Sequence, residues 1–82
     1  MKKYLCPCCG YLTLSSQGEY EICPVCFWED DPTQSADENK VSGANEISLS
    51  QARANYLALD ACEEAMFPCV RNPEPEEIPW GK

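Results

Sequence analysis

The sequence predicts a small α+β domain: a ribbon-like β-hairpin carrying two cysteine knuckles, followed by one packed helix. Three observations support it. The knuckles Cys6-Pro7-Cys8-Cys9-Gly10 and Cys23-Pro24-Val25-Cys26 lie thirteen residues apart. The segment between them has strand composition on both flanks and turn chemistry in the middle. A capping signal at Ser48 then opens the one stretch with helical periodicity.

Four thiolates paired in this way suit a single tetrahedral ion in a closed structural site, most often zinc. Cys6, Cys9, Cys23 and Cys26 are the expected ligands. Cys8 sits inside the first knuckle with its side chain expected to point away from the ion, as a surface or packed thiol, with competition for a ligand position or an accessible accessory thiol as the lesser alternatives. The chain has 82 residues, and one this short buries only roughly 60% of its unfolded surface. A structural metal contributes an apparent ~10–16 kcal/mol, which in such domains becomes folding free energy. The fold class is therefore a metal-stapled, zinc-ribbon-like α+β domain.

Residues 4–28 form the expected ribbon. Gly10-Tyr11-Leu12-Thr13-Leu14 and Glu19-Tyr20-Glu21-Ile22 alternate like strands around Ser15-Ser16-Gln17-Gly18, a hairpin pattern. Pairing of these two flanks would return Cys23 beside Cys9. Residues 29–47, with Glu29-Asp30-Asp31-Pro32 and Ser42-Gly43, are acidic and rich in breakers, so a solvated surface loop is expected. They do not match a calcium-loop template. Helix is expected within 48–66, running regularly from about 49 to 64 and stopping before Pro68. Ser48 is its N-cap, with Gln51 completing a capping box. Leu49, Ala52, Tyr56, Leu59 and Cys62 share one face at helical spacing. Residues 67–82 are rich in proline and glutamate and read as an extended or mobile tail. Ile78 and Trp80 stand out there as residues that could dock on the domain or on a partner. The whole chain is one domain.

Six basic residues against fourteen acidic ones give a net charge of −8. Such a surface repels phosphate backbones and anionic membranes, so direct binding to nucleic acid or membrane is not expected. A protein partner, basic by complementarity, fits better, although acidity also serves solubility alone. The N-terminus leaves no room for a signal segment before Cys6, and no stretch approaches a membrane span, so cytoplasm is the expected compartment. Reduced cysteines that bind metal agree with that setting, as does the odd total of seven.

Iron competes with zinc, because Cys-Pro-x-Cys-Gly also resembles the knuckle of rubredoxins. Phe27 stands where rubredoxins carry glycine, and the gap between knuckles is shorter than theirs, which makes an iron electron carrier the lesser alternative. Thiol–disulfide exchange needs a cysteine at a helix N-terminus, whereas a strand follows the first knuckle and aromatics and acids follow the second. The chain has no histidine, so no Cys–His or Ser–His pair can form. A four-thiolate zinc leaves no open position for water. A non-enzyme is expected. Cys62 reads as a packed small hydrophobe, and a Cys62–Cys69 disulfide is the minor reading.

Several stretches together resemble the cysteine-rich CPCC family. They are Cys6-Pro7-Cys8-Cys9-Gly10-Tyr11, then Tyr20-Glu21-Ile22-Cys23-Pro24-Val25-Cys26-Phe27-Trp28-Glu29-Asp30-Asp31, then Gly43-Ala44-Asn45 leading into Ser48–Tyr56. The resemblance covers about residues 4 to 75. It implies a small, stand-alone bacterial protein and carries no particular activity with it. It also implies that Trp28, Asn45, Arg53 and Tyr56 belong to a shared surface or core. Arg53 and Asn55 are expected to tie the helix to the 43–48 loop and the acidic 29–31 segment. Trp28, Arg53 and Trp80 are the candidate binding residues. The expected function is a protein–protein interaction module with a structural zinc; one version is an immunity- or inhibitor-type protein that blocks a basic or nucleic-acid-binding partner.

Overall fold

The computed structural model describes residues 3–79. In chain order it contains strand β1 (Tyr4–Leu5), strand β2 (Leu12–Leu14), short helix α1 (Pro32–Ala36), helix α2 (Leu49–Leu59) and two 3₁₀ turns, Glu64–Cys69 and Pro75–Glu77. Strands β1 and β2 pair antiparallel, Tyr4 with Leu14 and Leu5 with Leu12. One step along β1 spans two along β2, so Thr13 is the extra residue of a bulge. Bulges re-aim a side chain, and this one turns Thr13 inward.

The hairpin thus exists with partners other than those expected. Residues 19–22 do not pair with 10–14. Ile22 instead bridges Glu29, and the Asp30 amide donates to the Glu21 carbonyl at 2.9 Å. Each knuckle is the tip of its own small hairpin. The Ser15–Gly18 segment links the two, and the Glu21 carboxylate holds it by accepting from the Ser15 amide at 2.8 Å and the Ser16 amide at 3.3 Å. A Cys-x-x-Cys turn already reverses the chain, so the strands beside it are the nearest partners.

The acidic loop is solvated over residues 35–44, but its start is not. Asp30 and Asp31 are only 4% and 3% exposed. Their burial is offset by backbone donors, which is the condition for burying a carboxylate. Asp30 Oδ2 accepts from the Gly18 amide at 2.7 Å. Asp31 caps α1 by accepting from the Thr33 amide and hydroxyl, with Pro32 in the first turn. Its Oδ2 accepts from the Ala44 amide at 2.8 Å. Gln34, fully buried, donates to the Lys40, Asn45 and Ile47 carbonyls and accepts from the Asn45 amide. Asn45 then pairs with the Glu29 backbone as a strand would, accepting from its N–H and donating to its C=O.

Two predictions arise here. Gly43 has φ +150°, and a Cβ there would meet Asp31 Oδ2 at 2.6 Å. Gly43→Ala is therefore expected to displace the Ala44–Asp31 bond and lose about 1–3 kcal/mol, read as a lowered thermal midpoint of the metal-loaded chain. An unchanged midpoint would show that the loop yields at no cost. The second concerns acid. The Thr33 hydroxyl, with the Ala44 amide, holds the Asp31 carboxyl below its ordinary value of 3.8. A depressed folded pKa contributes stability above the unfolded value that is lost as pH falls through the folded one. Asp31→Asn is accordingly expected to lower stability at neutral pH, with the gap to wild type closing below about pH 4. A gap that holds constant down to pH 3 would contradict it.

Helix α2 begins at the expected cap, with Ser48 Oγ accepting from the Gln51 amide at 3.1 Å, but Gln51 does not complete the capping box: its side chain donates to Asn55 Oδ1 at 2.9 Å. Leu49 and Ala52 are buried, and Tyr56 meets Tyr11 edge-to-face with centroids 6.3 Å apart. The helix is shorter than 48–66. It stops at Leu59, because Asp60 turns left-handed at φ 63°. Leu59 is consequently 39% exposed. Cys62 enters the core from the following turn, its amide donating to the Cys26 carbonyl and its carbonyl accepting from Asn55 Nδ2, both at 2.9 Å. These tertiary bonds replace the helical ones. As far as Pro79 the tail folds back on the domain. Arg71 grips the Glu77 carboxylate through two bonds of 3.0 and 2.8 Å, and the Pro75–Glu77 turn packs on β2. The radius of gyration, 11.7 Å, matches the roughly 12 Å of a fully compact chain of this length. Trp80 lies outside the described residues. Among those residues no helix is long and apolar enough to cross a membrane.

Candidate metal centre

Both knuckles are built by the same backbone bonds. In the first, the Cys6 amide donates to the Tyr11 carbonyl at 2.8 Å and the Gly10 amide to the Cys6 carbonyl at 2.9 Å. In the second, the Cys23 amide donates to Trp28 at 2.9 Å and the Phe27 amide to Cys23 at 2.8 Å. The turn needs a left-handed residue after its second cysteine. Gly10 takes φ 81° without strain, whereas Phe27 takes φ 70° with a full side chain.

These turns bring the sulfurs of Cys6, Cys9, Cys23 and Cys26 within 4.8 Å of one another. Across the knuckles, Cys6 Sγ lies 3.6 Å from Cys26 Sγ, and Cys9 Sγ 3.7 Å from Cys23 Sγ. A tetrahedral ion with ~2.3 Å metal–sulfur bonds requires sulfur–sulfur edges of about 3.8 Å. The four expected ligands therefore fit one metal ion. All seven cysteines are free thiols, and at these separations the ligand sulfurs form no disulfides.

Cys23 is the most heavily hydrogen-bonded of the four. The re-aimed Thr13 hydroxyl lies 3.0 Å from its sulfur, and the Val25 amide donates to it at 3.4 Å. Among the four thiols, donation from Cys26, Cys6 and Cys9, with Thr13, holds Cys23 far below the ordinary thiol range. Those three thiols are pushed up in turn, first because they donate to Cys23. A metal replaces the shared protons with a positive charge that all four thiolates can face. Thr13 was not foreseen in the sequence, since simple alternation hides a residue turned by a bulge.

The other candidate residues are dispersed. Cys8 is outside the four-sulfur group, buried in the core with Cys62. Burial pushes the Cys62 thiol up to about 12, the behaviour of a packing residue. Cys69 is exposed and Cys62 is not. Trp28, read as a candidate binding residue, is fully buried and packs beside the ligands, so it cannot face a partner. Arg53 is on the surface, donating from Nε to the Pro7 carbonyl at 2.9 Å and from Nη1 to Glu38 at 2.7 Å. It ties α2 to the first knuckle rather than to the 43–48 loop or residues 29–31. Asn55 likewise serves Cys62.

The family model for cysteine-rich CPCC proteins matches residues 4–77, spanning both knuckles and every helix and strand. The chain belongs to the cysteine-rich CPCC family. No curated protein matches it significantly. Within this CPCC chain the matched region holds all four clustered cysteines and the Gln34–Asn45 network beside the second knuckle.

Proposed function

We propose that this chain is a non-enzymatic zinc protein whose metal is structural and which acts by binding another protein. The observation that supports it most is the sulfur cluster, in which Cys6, Cys23 and Cys26 are buried and the spacing suits a closed tetrahedron. Such a site leaves no position for water or substrate. The absence of histidine and the net charge of −8 favour a binding role toward a basic protein. Blocking a basic or nucleic-acid-binding enzyme by charge mimicry is one form of that role. Tetrahedral thiolates accept iron as well, and an iron electron carrier is the competing reading.

Native mass spectrometry beside a denatured spectrum of the same sample separates them. One zinc per chain with seven free thiols is expected. Bound iron with a reversible redox couple would overturn the structural-zinc reading. The binding role is tested by affinity capture on the zinc-loaded chain, with recovery of a stoichiometric, salt-sensitive basic protein expected. A clean monomer without a partner would count against it.

A further inference from the structure

A cleft of about 320 Å³ opens beside the second knuckle, and no part of the metal centre uses it. Its lining includes the apolar side chains of Ile22, Phe27 and Met66 and the carboxylates of Glu29, Glu46 and Glu63. Ile22 is 45% exposed, a large apolar side chain left uncovered at the mouth. Among the described residues no hydrogen bond or ion pair engages the three carboxylates, and no lysine or arginine lines the cleft. The two ion-paired arginines are elsewhere, Arg53 on Glu38 and Arg71 on Glu77. The frame is fixed: Asn45 is bonded on both sides, to Glu29 and to Gln34, and Cys62 is bonded to Cys26.

We propose that this cleft docks a lysine or arginine side chain from a basic segment of a partner protein. The proposal rests on the interaction-module reading and places the contact. A long basic side chain lays its methylene stem on apolar surface and keeps its charged head toward polar groups. Here the stem would lie on Phe27, Met66 and Ile22 and the head among the three carboxylates. The volume is at the lower end of the roughly 300–1,000 Å³ typical of ligand sites, which suits one or two side chains rather than a whole cofactor. Three carboxylates with no cation among them favour a cationic occupant over an anionic or neutral one.

The test uses the full zinc-loaded chain, isotope-labelled, titrated with the capped tripeptide acetyl-Arg-Leu-Arg-amide and separately with acetyl-Glu-Leu-Glu-amide. The basic peptide is expected to give saturable amide shifts centred on Ile22, Phe27, Asn45 and Met66, and the acidic one none. Glu46→Gln combined with Glu63→Gln should abolish saturation while the metal content stays at one ion. Diffuse, non-saturating shifts over the acidic surface would overturn the proposal, as would saturation that survives the double substitution. A captured partner that binds the double variant as well as wild type would sink the cleft while leaving the interaction module standing. Loss of that partner with the variant still metal-loaded would support both.

Discussion

Cys26→Ser is expected to leave the chain largely unfolded at 25 °C and unable to bind a metal ion tightly. Cys26 is fully buried, its sulfur 3.6 Å from that of Cys6. Serine keeps the shape but not the ligand, since its hydroxyl does not ionise at neutral pH. A chain of 82 residues has a stability of roughly 4–12 kcal/mol at the usual ~0.05–0.15 kcal/mol per residue. A structural thiolate site contributes an apparent ~10–16 kcal/mol. The metal term is as large as the whole, so damage to it decides the fold. Strong chelators should do the same to wild type, and acid should act in the same direction because protons compete for the thiolates. Cys69→Ser is the control; that residue is exposed, and wild-type behaviour is expected. Circular dichroism with metal analysis reads all of these. A Cys26→Ser chain that melts cooperatively without metal would show that the cluster is not the staple.

The grouping of four cysteines was legible because a Cys-x-x-Cys turn is local: two sulfurs converge whatever the rest of the chain does. Strand pairing was not. Thirteen residues between knuckles suit one hairpin across the gap as well as two hairpins side by side. The bonds that choose between them belong to residues on the outer flanks, Tyr4–Leu5 and Trp28–Asp30. Burial of Asp30 and Asp31 was hidden for a related reason. Besides the local cap at Thr33, their donors are the amides of Gly18 and Ala44, more than ten residues away in each case, and composition sees only charge. The start of α2 was readable from Ser48, a cap that acts within three residues. Its end was not, because residues 61–66 contain no breaker. The chain leaves the helix at Asp60 to bond Cys62 to Cys26, a gain visible only in three dimensions.

The core around the metal leads to the last expected result. Trp28 is the largest fully buried side chain among the described residues, and Leu14, Val25 and Leu49 are the other large apolar ones at that depth. Trp28→Ala should cost about 3–5 kcal/mol, the usual range for emptying an aromatic site. Folding and metal binding are one equilibrium in such a domain, so the loss should appear as metal affinity weakened by roughly two to four orders of magnitude, at 1.4 kcal/mol per tenfold. Trp28→Phe separates volume from polarity. The indole Nε1 is buried with no hydrogen-bond partner among the described residues, a condition that costs on the order of 1–3 kcal/mol. Phenylalanine gives up some volume but removes that unmatched donor, and a net loss under about 2 kcal/mol is expected from the two opposing terms. Competitive metal titration of both variants measures this directly. If Trp28→Phe weakened the metal as much as Trp28→Ala, the indole N–H would have to be satisfied in solution, and the core around the cysteines would be held by polarity as well as by packing.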